Sequence, residues 1–77
     1  MIKVGQIYEL PFSKSPVVVI RIEPKHERHF DWIYLITDDG QQERLWRKSV
    51  EETLKLIAEY PTWQEAVNSK EFSGVTK

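Results

Sequence analysis

The sequence of 77 residues predicts a small α+β domain: a strongly bent antiparallel sheet of four to five short strands, with a C-terminal helix starting near Thr62. Three observations predict it. Residues 17–22 read Val-Val-Val-Ile-Arg-Ile, a β-branched run that resists helix and suits a pleated surface. Residues 30–47 hold an apolar-rich stretch, Phe30 to Ile36, and a mixed stretch, Glu43 to Arg47, joined by a loop with Asp38-Asp39-Gly40, the pattern of a hairpin. Thr62, with Pro61 before it and Glu65 three residues later, forms a capping box at a helix start.

The elements follow in order along one domain, residues 1–77. Residues 5–10 alternate around Ile7 and Tyr8 and read as a first strand, stopped by Pro11. Ser13-Lys14-Ser15-Pro16 is a loop by composition. The β-branched strand over 17–22 breaks at Glu23-Pro24-Lys25, because proline cannot donate to a ladder. Lys25-His26-Glu27-Arg28-His29 is a charged connection. A long strand is expected over 30–36, with Phe30, Trp32, Tyr34 and Ile36 on one face and Ile33 and Leu35 on the other. Both faces being apolar means two-sided burial or one working surface. In the turn at 37–41 the Asp side chains bond back to the local backbone and Gly40 takes a positive φ, giving a type I turn with a glycine bulge. Residues 43–47 return as the partner strand.

Residues 49–60 fit two templates. As a helix, Ser49 and Glu52 form a capping box, and Val50, Leu54, Ile57 and Ala58 share a face. As a turn near 50–53 followed by a strand over 55–59, Leu54, Leu56, Ala58 and Tyr60 alternate with polar residues, and Ile57 is the misfit. The second is preferred, since a four-strand meander leaves an open edge for a fifth strand. The helix after Pro61 is about two turns and is expected to end near Asn68-Ser69-Lys70, within a helical region bounded at residue 72. It is too short to persist alone in water and must dock on the sheet. Trp63 is the expected anchor, with Phe72 behind it, and residues 73–77 are expected to fray.

Composition narrows the function. With no cysteine there is no disulfide, thiolate metal site or Cys nucleophile. Net charge is −1, so no global field draws the chain to nucleic acid or anionic lipid. No stretch approaches the roughly 20 apolar residues of a membrane span or a leader's apolar core. A cytoplasmic chain without a membrane partner is expected.

Catalytic readings find little footing. His26-x-x-His29 beside Glu27 and Asp31 offers imidazole and carboxylate ligands, but with no third His or any Cys it reads as a solvated loop, not a metal site. Asp38/Asp39 and Glu51/Glu52 are adjacent pairs that suit turn and cap chemistry rather than acid–base work across a cleft. No serine has a Gly-x-Ser-x-Gly setting, and Gly5, Gly40 and Gly74 lie too far apart to cradle phosphate. A non-enzyme without cofactor is expected.

The central hairpin is what remains. Phe30, Trp32, Arg44, Trp46 and Arg47 form the candidate binding set, because Trp, Tyr and Arg dominate interface hot spots. Trp32 and Tyr34 are read first as core packing, since a short chain needs large pieces to bury, and second as an exposed surface. Three readings stay open: a protein partner; a nucleic acid stacked on the aromatics, with Arg21, Arg28, Arg44, Arg47 and Lys48 on phosphates; and a structural homodimer through an open sheet edge.

Five short strands with a terminal helix, opening on Gly5-Gln6-Ile7-Tyr8, look like a small SH3-like barrel. Residues 56–72, Leu-Ile-Ala-Glu-Tyr-Pro-Thr-Trp-Gln-Glu-Ala-Val-Asn-Ser-Lys-Glu-Phe, resemble the endings of small uncharacterised proteins of phages and prophages of Gram-positive bacteria. The resemblance covers less than a quarter of the chain. It implies an accessory protein acting on a host or phage macromolecule, and carries over no catalytic residue, cofactor or ligand.

Overall fold

The computed structural model describes residues 1–73. The frayed tail expected at 73–77 lies, from Gly74 on, outside the described residues. Five strands form one antiparallel sheet: β1 (Gln6–Glu9), β2 (Pro16–Glu23), β3 (Trp32–Thr37), β4 (Gln42–Trp46) and β5 (Lys55–Glu59), in the order β4-β3-β2-β1-β5. Helix α1 (Arg47–Thr53) links β4 to β5, and α2 (Trp63–Val67) and α3 (Lys70–Ser73) follow. No helix among the described residues is long and apolar enough to cross a membrane.

The sheet is covered on both faces, but unequally. On one face Tyr8, Val17, Val19, Ile33 and Leu35 pack with Ile2 and with Val50 of α1. On the other, Ile7 and Val18 pack under Ala66 of α2 and Phe72 of α3. Val17, Val18 and Val19 are thus buried from both sides, and Ile20 after them is half-buried. A bulge between Val19 and Arg21 then puts Ile20 and Arg21 on the same face: Val19 pairs with Leu35, but Arg21 pairs with Tyr34. Beyond it the second face carries Arg21 and Glu23 instead of apolar side chains. The cover from α2 and α3 ends where the polar residues begin.

The hairpin has its expected turn. Gly40 has φ +90° and donates to Thr37 O at 3.0 Å, while Thr37 N donates to Gln41 O at 2.8 Å. Over 49–60 the structure combines the two templates. Lys55–Glu59 is a strand, paired with β1, but the preceding turn is a helix that starts at Arg47. Ser49 and Glu52 lie inside α1, so they form no capping box; Trp46 is the N-cap and no side chain caps it. Ile57, the misfit of the strand template, is the bulge: Ile7 pairs with Ala58 and Tyr8 with Leu56. The extra residue puts Leu56 opposite Tyr8 and Ala58 opposite Ile7, on opposite faces, where simple alternation had placed both on one.

Three other expectations are corrected. Phe30 is not in β3; it closes a 3₁₀ turn, Arg28–Phe30, because Asp31 leaves the extended path to bond elsewhere. The C-terminal helical region is two short helices, interrupted at Asn68 and Ser69. Trp63 is not the anchor, being 36% exposed, whereas Ala66 and Phe72 are buried. Thr62 does cap α2, its Oγ1 accepting from Glu65 N at 3.1 Å.

Gly5 enters β1 with φ +98°. It donates to Val19 O at 2.9 Å and accepts from Tyr60 N at 3.0 Å. A Cβ there would lie 2.3 Å from Tyr60 O, so only glycine lets β1 and the end of β5 approach this closely.

Candidate functional site

The uncovered part of the second face lies on β3, β4 and the end of β2. Trp32 pairs across the ladder with Trp46, and Tyr34 with Arg44. Period-two alternation puts these four on the face opposite Ile33 and Leu35. Phe30, from the 3₁₀ turn, meets Trp46 edge-on, with ring centroids 5.0 Å apart at 66°. Trp32 and Trp46 lie 5.9 Å apart at 38°. An open depression of about 500 Å³ is lined by these three rings and by Lys25, His26 and Glu27.

Of the aromatic residues, only Tyr8 and Phe72 are buried. The core is built from β-branched aliphatics, so the rings are left for the surface. Trp46 is 45% exposed and Phe30 38%. Trp32 and Tyr34, read first as core, are half-buried and belong to neither packed cluster. The reason is the limited reach of α2 and α3, which no local pattern in β3 reveals.

Two guanidinium groups lie over rings of this face. Arg44 sits over the Trp32 ring at 4.1 Å and Arg21 over the Tyr34 ring at 4.1 Å. Such contacts hold a cation by the ring's negative face. The carboxylates here have partners. Glu23 accepts from Tyr34 OH at 2.7 Å and from Lys25 Nζ at 3.2 Å. The Tyr34 hydrogen bond, followed by that of Lys25, holds its carboxyl below the usual range. Glu27 pairs with His29 at 3.2 Å. The Arg44 side chain, by contrast, makes no hydrogen bond or ion pair among the described residues.

Arg47 stands apart from the other four site residues. It is 8% exposed, and its Nε donates to Asp31 Oδ2 at 3.1 Å. Its backbone N–H donates to Asp31 O at 2.8 Å, and Asp31 Oδ1 accepts from Lys25 N at 2.8 Å. Asp31 is thereby a junction tying the start of β3, the end of β2 and the first turn of α1. It holds Phe30 and Trp46 in the lining of the depression. The Lys25 backbone N–H, then the Arg47 guanidinium, keep the Asp31 carboxyl below the usual range.

The structure therefore brings together Phe30, Trp32, Arg44 and Trp46 and turns Arg47 inward. The sequence reading missed the Arg21–Tyr34 stack and the rim of Lys25, His26 and Glu27. One signal for the stack was present: the change from Val17–Ile20, apolar at every position, to alternating Arg21-Ile22-Glu23, where burial of one face stops. The His26, Glu27, His29 and Asp31 group does not converge; among the described residues no three His, Asp or Glu side chains are placed to hold a metal ion. Comparison of the chain with protein-family models, with curated proteins and with solved structures found no match.

Proposed function

We propose that the chain is a non-enzymatic binding module whose partner is a protein, engaged through the face built from Phe30, Trp32, Trp46 and Arg44. The observation that carries this is an exposed aromatic cluster held by second-tier contacts beside an unpaired, ring-stacked guanidinium. Trp and Arg in a shallow depression are what interface hot spots use. The non-enzymatic reading rests on the sequence, which has no nucleophile or phosphate-cradling motif. The SH3-like reading is supported by a fifth strand returning beside the first, and by bulges in β2 and β5 that add twist and bend. A role as a phage or prophage accessory protein in the cytoplasm remains part of the proposal, carried by the resemblance of residues 56–72.

The test is selection from a random peptide-display library on the wild-type chain and on Trp46→Ala. Enrichment on the wild type that disappears with a folded Trp46→Ala supports the proposal. Equal enrichment on both, or none on either, refutes it. If Trp46→Ala unfolds, Trp46 serves the core and the face loses its central residue.

A second reading, the structural homodimer, is favoured by one observation. β5 is an edge strand, and its Leu56 and Ile57 are 47% and 38% exposed. A monomeric mass in solution at high protein concentration removes it.

A further inference from the structure

We infer that the partner segment is an acidic linear peptide. A bulky apolar side chain enters the depression between Phe30, Trp32 and Trp46, and a neighbouring carboxylate is held by Arg44. This rests on the binding-module reading above and names the chemistry of its partner.

Three features of the face carry it. First, Arg44 is oriented and free. Its guanidinium is held over the Trp32 ring at 4.1 Å and makes no side-chain hydrogen bond among the described residues, so its N–H fork is available to match a carboxylate. The stack also reduces the rotamer freedom that Arg44 would lose on binding. Second, the face has a cation to spare. Of the side chains placed on it or around the depression, Arg21, Lys25 and Arg44 are cationic and Glu23 and Glu27 anionic, in a chain whose overall charge is −1. Glu23 and Glu27 already have partners in Lys25 and His29, whereas the Arg44 side chain has no acceptor among the described residues, so an incoming carboxylate meets an unpaired guanidinium there. Third, the depression beside Arg44 is apolar at its floor, where the three rings meet. An apolar anchor there and an acid on Arg44 are complementary to adjacent features.

The same geometry disfavours a single-stranded nucleic acid. The Trp32 and Tyr34 ring faces that bases would stack on are already covered by Arg44 and Arg21. Phe30 and Trp46 meet edge to face and offer no parallel pair of free rings. Glu23 and Glu27 also lie among the cations, where a continuous phosphate chain would meet them. A peptide needs one or two anionic contacts and avoids both difficulties.

The experiment is titration of the ¹⁵N-labelled full chain with three peptide pools of equal length. Each has Trp or Leu at its centre, with flanks drawn from Asp and Glu, from Ser and Gln, or from Lys and Arg. An oligo-dT single strand is the fourth probe. The expected result is that the acidic pool shifts amides of β3, β4 and the 3₁₀ turn, and binds about tenfold tighter than the neutral pool. That advantage shrinks as salt is raised. Arg44→Gln, checked for folding by its own spectrum, loses the advantage while binding the neutral pool as before. Arg44→Lys keeps part of it, since the charge remains and the fork does not.

If the neutral pool binds as tightly as the acidic one, or the basic pool tighter, the acidic inference is overturned and the module reading stands. If no pool shifts the face, both are overturned. If the oligo-dT alone binds there, the partner is a nucleic acid and the inference is likewise overturned.

Discussion

Gly5 and Gly40 provide an internally controlled test of how the sheet is held together. Both have positive φ, +98° and +90°. An added Cβ at Gly40 meets nothing within 4 Å, whereas at Gly5 it lies 2.3 Å from Tyr60 O and 3.3 Å from the carbonyl carbon of Thr62. Gly40→Ala therefore carries only the conformational cost of a side chain in that region, about 1–2 kcal/mol. Gly5→Ala carries a similar cost and must also separate two backbone segments that no side-chain rotation can relieve. Moving them weakens the bond from Tyr60 N to Gly5 O, adding about 1–2 kcal/mol for a buried bond lost. The total for Gly5→Ala is about 2–4 kcal/mol, against about 4–12 kcal/mol for a domain of this size. Thermal melts followed by far-ultraviolet circular dichroism measure both. Gly40→Ala is expected to lower Tm by about 5–10 °C and Gly5→Ala by about twice that or more. If Gly5→Ala proves no more costly than Gly40→Ala, the close approach of β1 to the end of β5 is wrong, and with it the placement of β5 beside β1.

Three further outcomes follow from the same contacts. Because the Asp31 carboxyl is held below its ordinary range by Lys25 N–H and Arg47, its contribution is present above the unfolded carboxylate value of about 4 and is lost as pH falls through the folded value. Asp31→Asn should thus be less stable than wild type at neutral pH and lose less on acidification, read from urea midpoints at about pH 7 and pH 3. Phe72→Ala should cost about 3 kcal/mol, as removal of a buried ring does. Trp63→Ala should cost at least about 1 kcal/mol less, the reverse of the order sequence alone suggests; thermal melts decide between them. Thr62→Ala removes the acceptor for Glu65 N and should cost about 1 kcal/mol, measured by urea titration, while Thr62→Ser should be nearly neutral.

The local signals in this chain were legible because their causes are local. Pro11 and Pro24 end strands, Asp38-Asp39-Gly40 turns the hairpin, and Thr62 caps α2, each through backbone geometry set within a few residues. The preference for a strand over 55–59 was also correct, though it came from reasoning about an open edge. What failed had causes elsewhere in the chain. Ser49 and Glu52 have the spacing of a capping box, but Arg47 is drawn inward by Asp31, sixteen residues away, and the helix begins there instead. Phe30 fits the alternation of β3, but the same Asp31 bends the chain out of the sheet before Trp32.

The candidate site divides in the same way. Sequence by itself determined that this is a small α+β chain without cysteine, with strands at the β-branched runs and an unusual store of Trp, Tyr and Arg near the central hairpin. Only the tertiary structure decided which of those side chains are exposed. Exposure depends on how far α2 and α3 extend over the sheet and on the bulge that turns Arg21 toward Tyr34. Both are properties of packing between distant segments, to which local propensity and periodicity are blind. That packing leaves Phe30, Trp32, Arg44 and Trp46 together on the surface and buries Arg47 as the support beneath them.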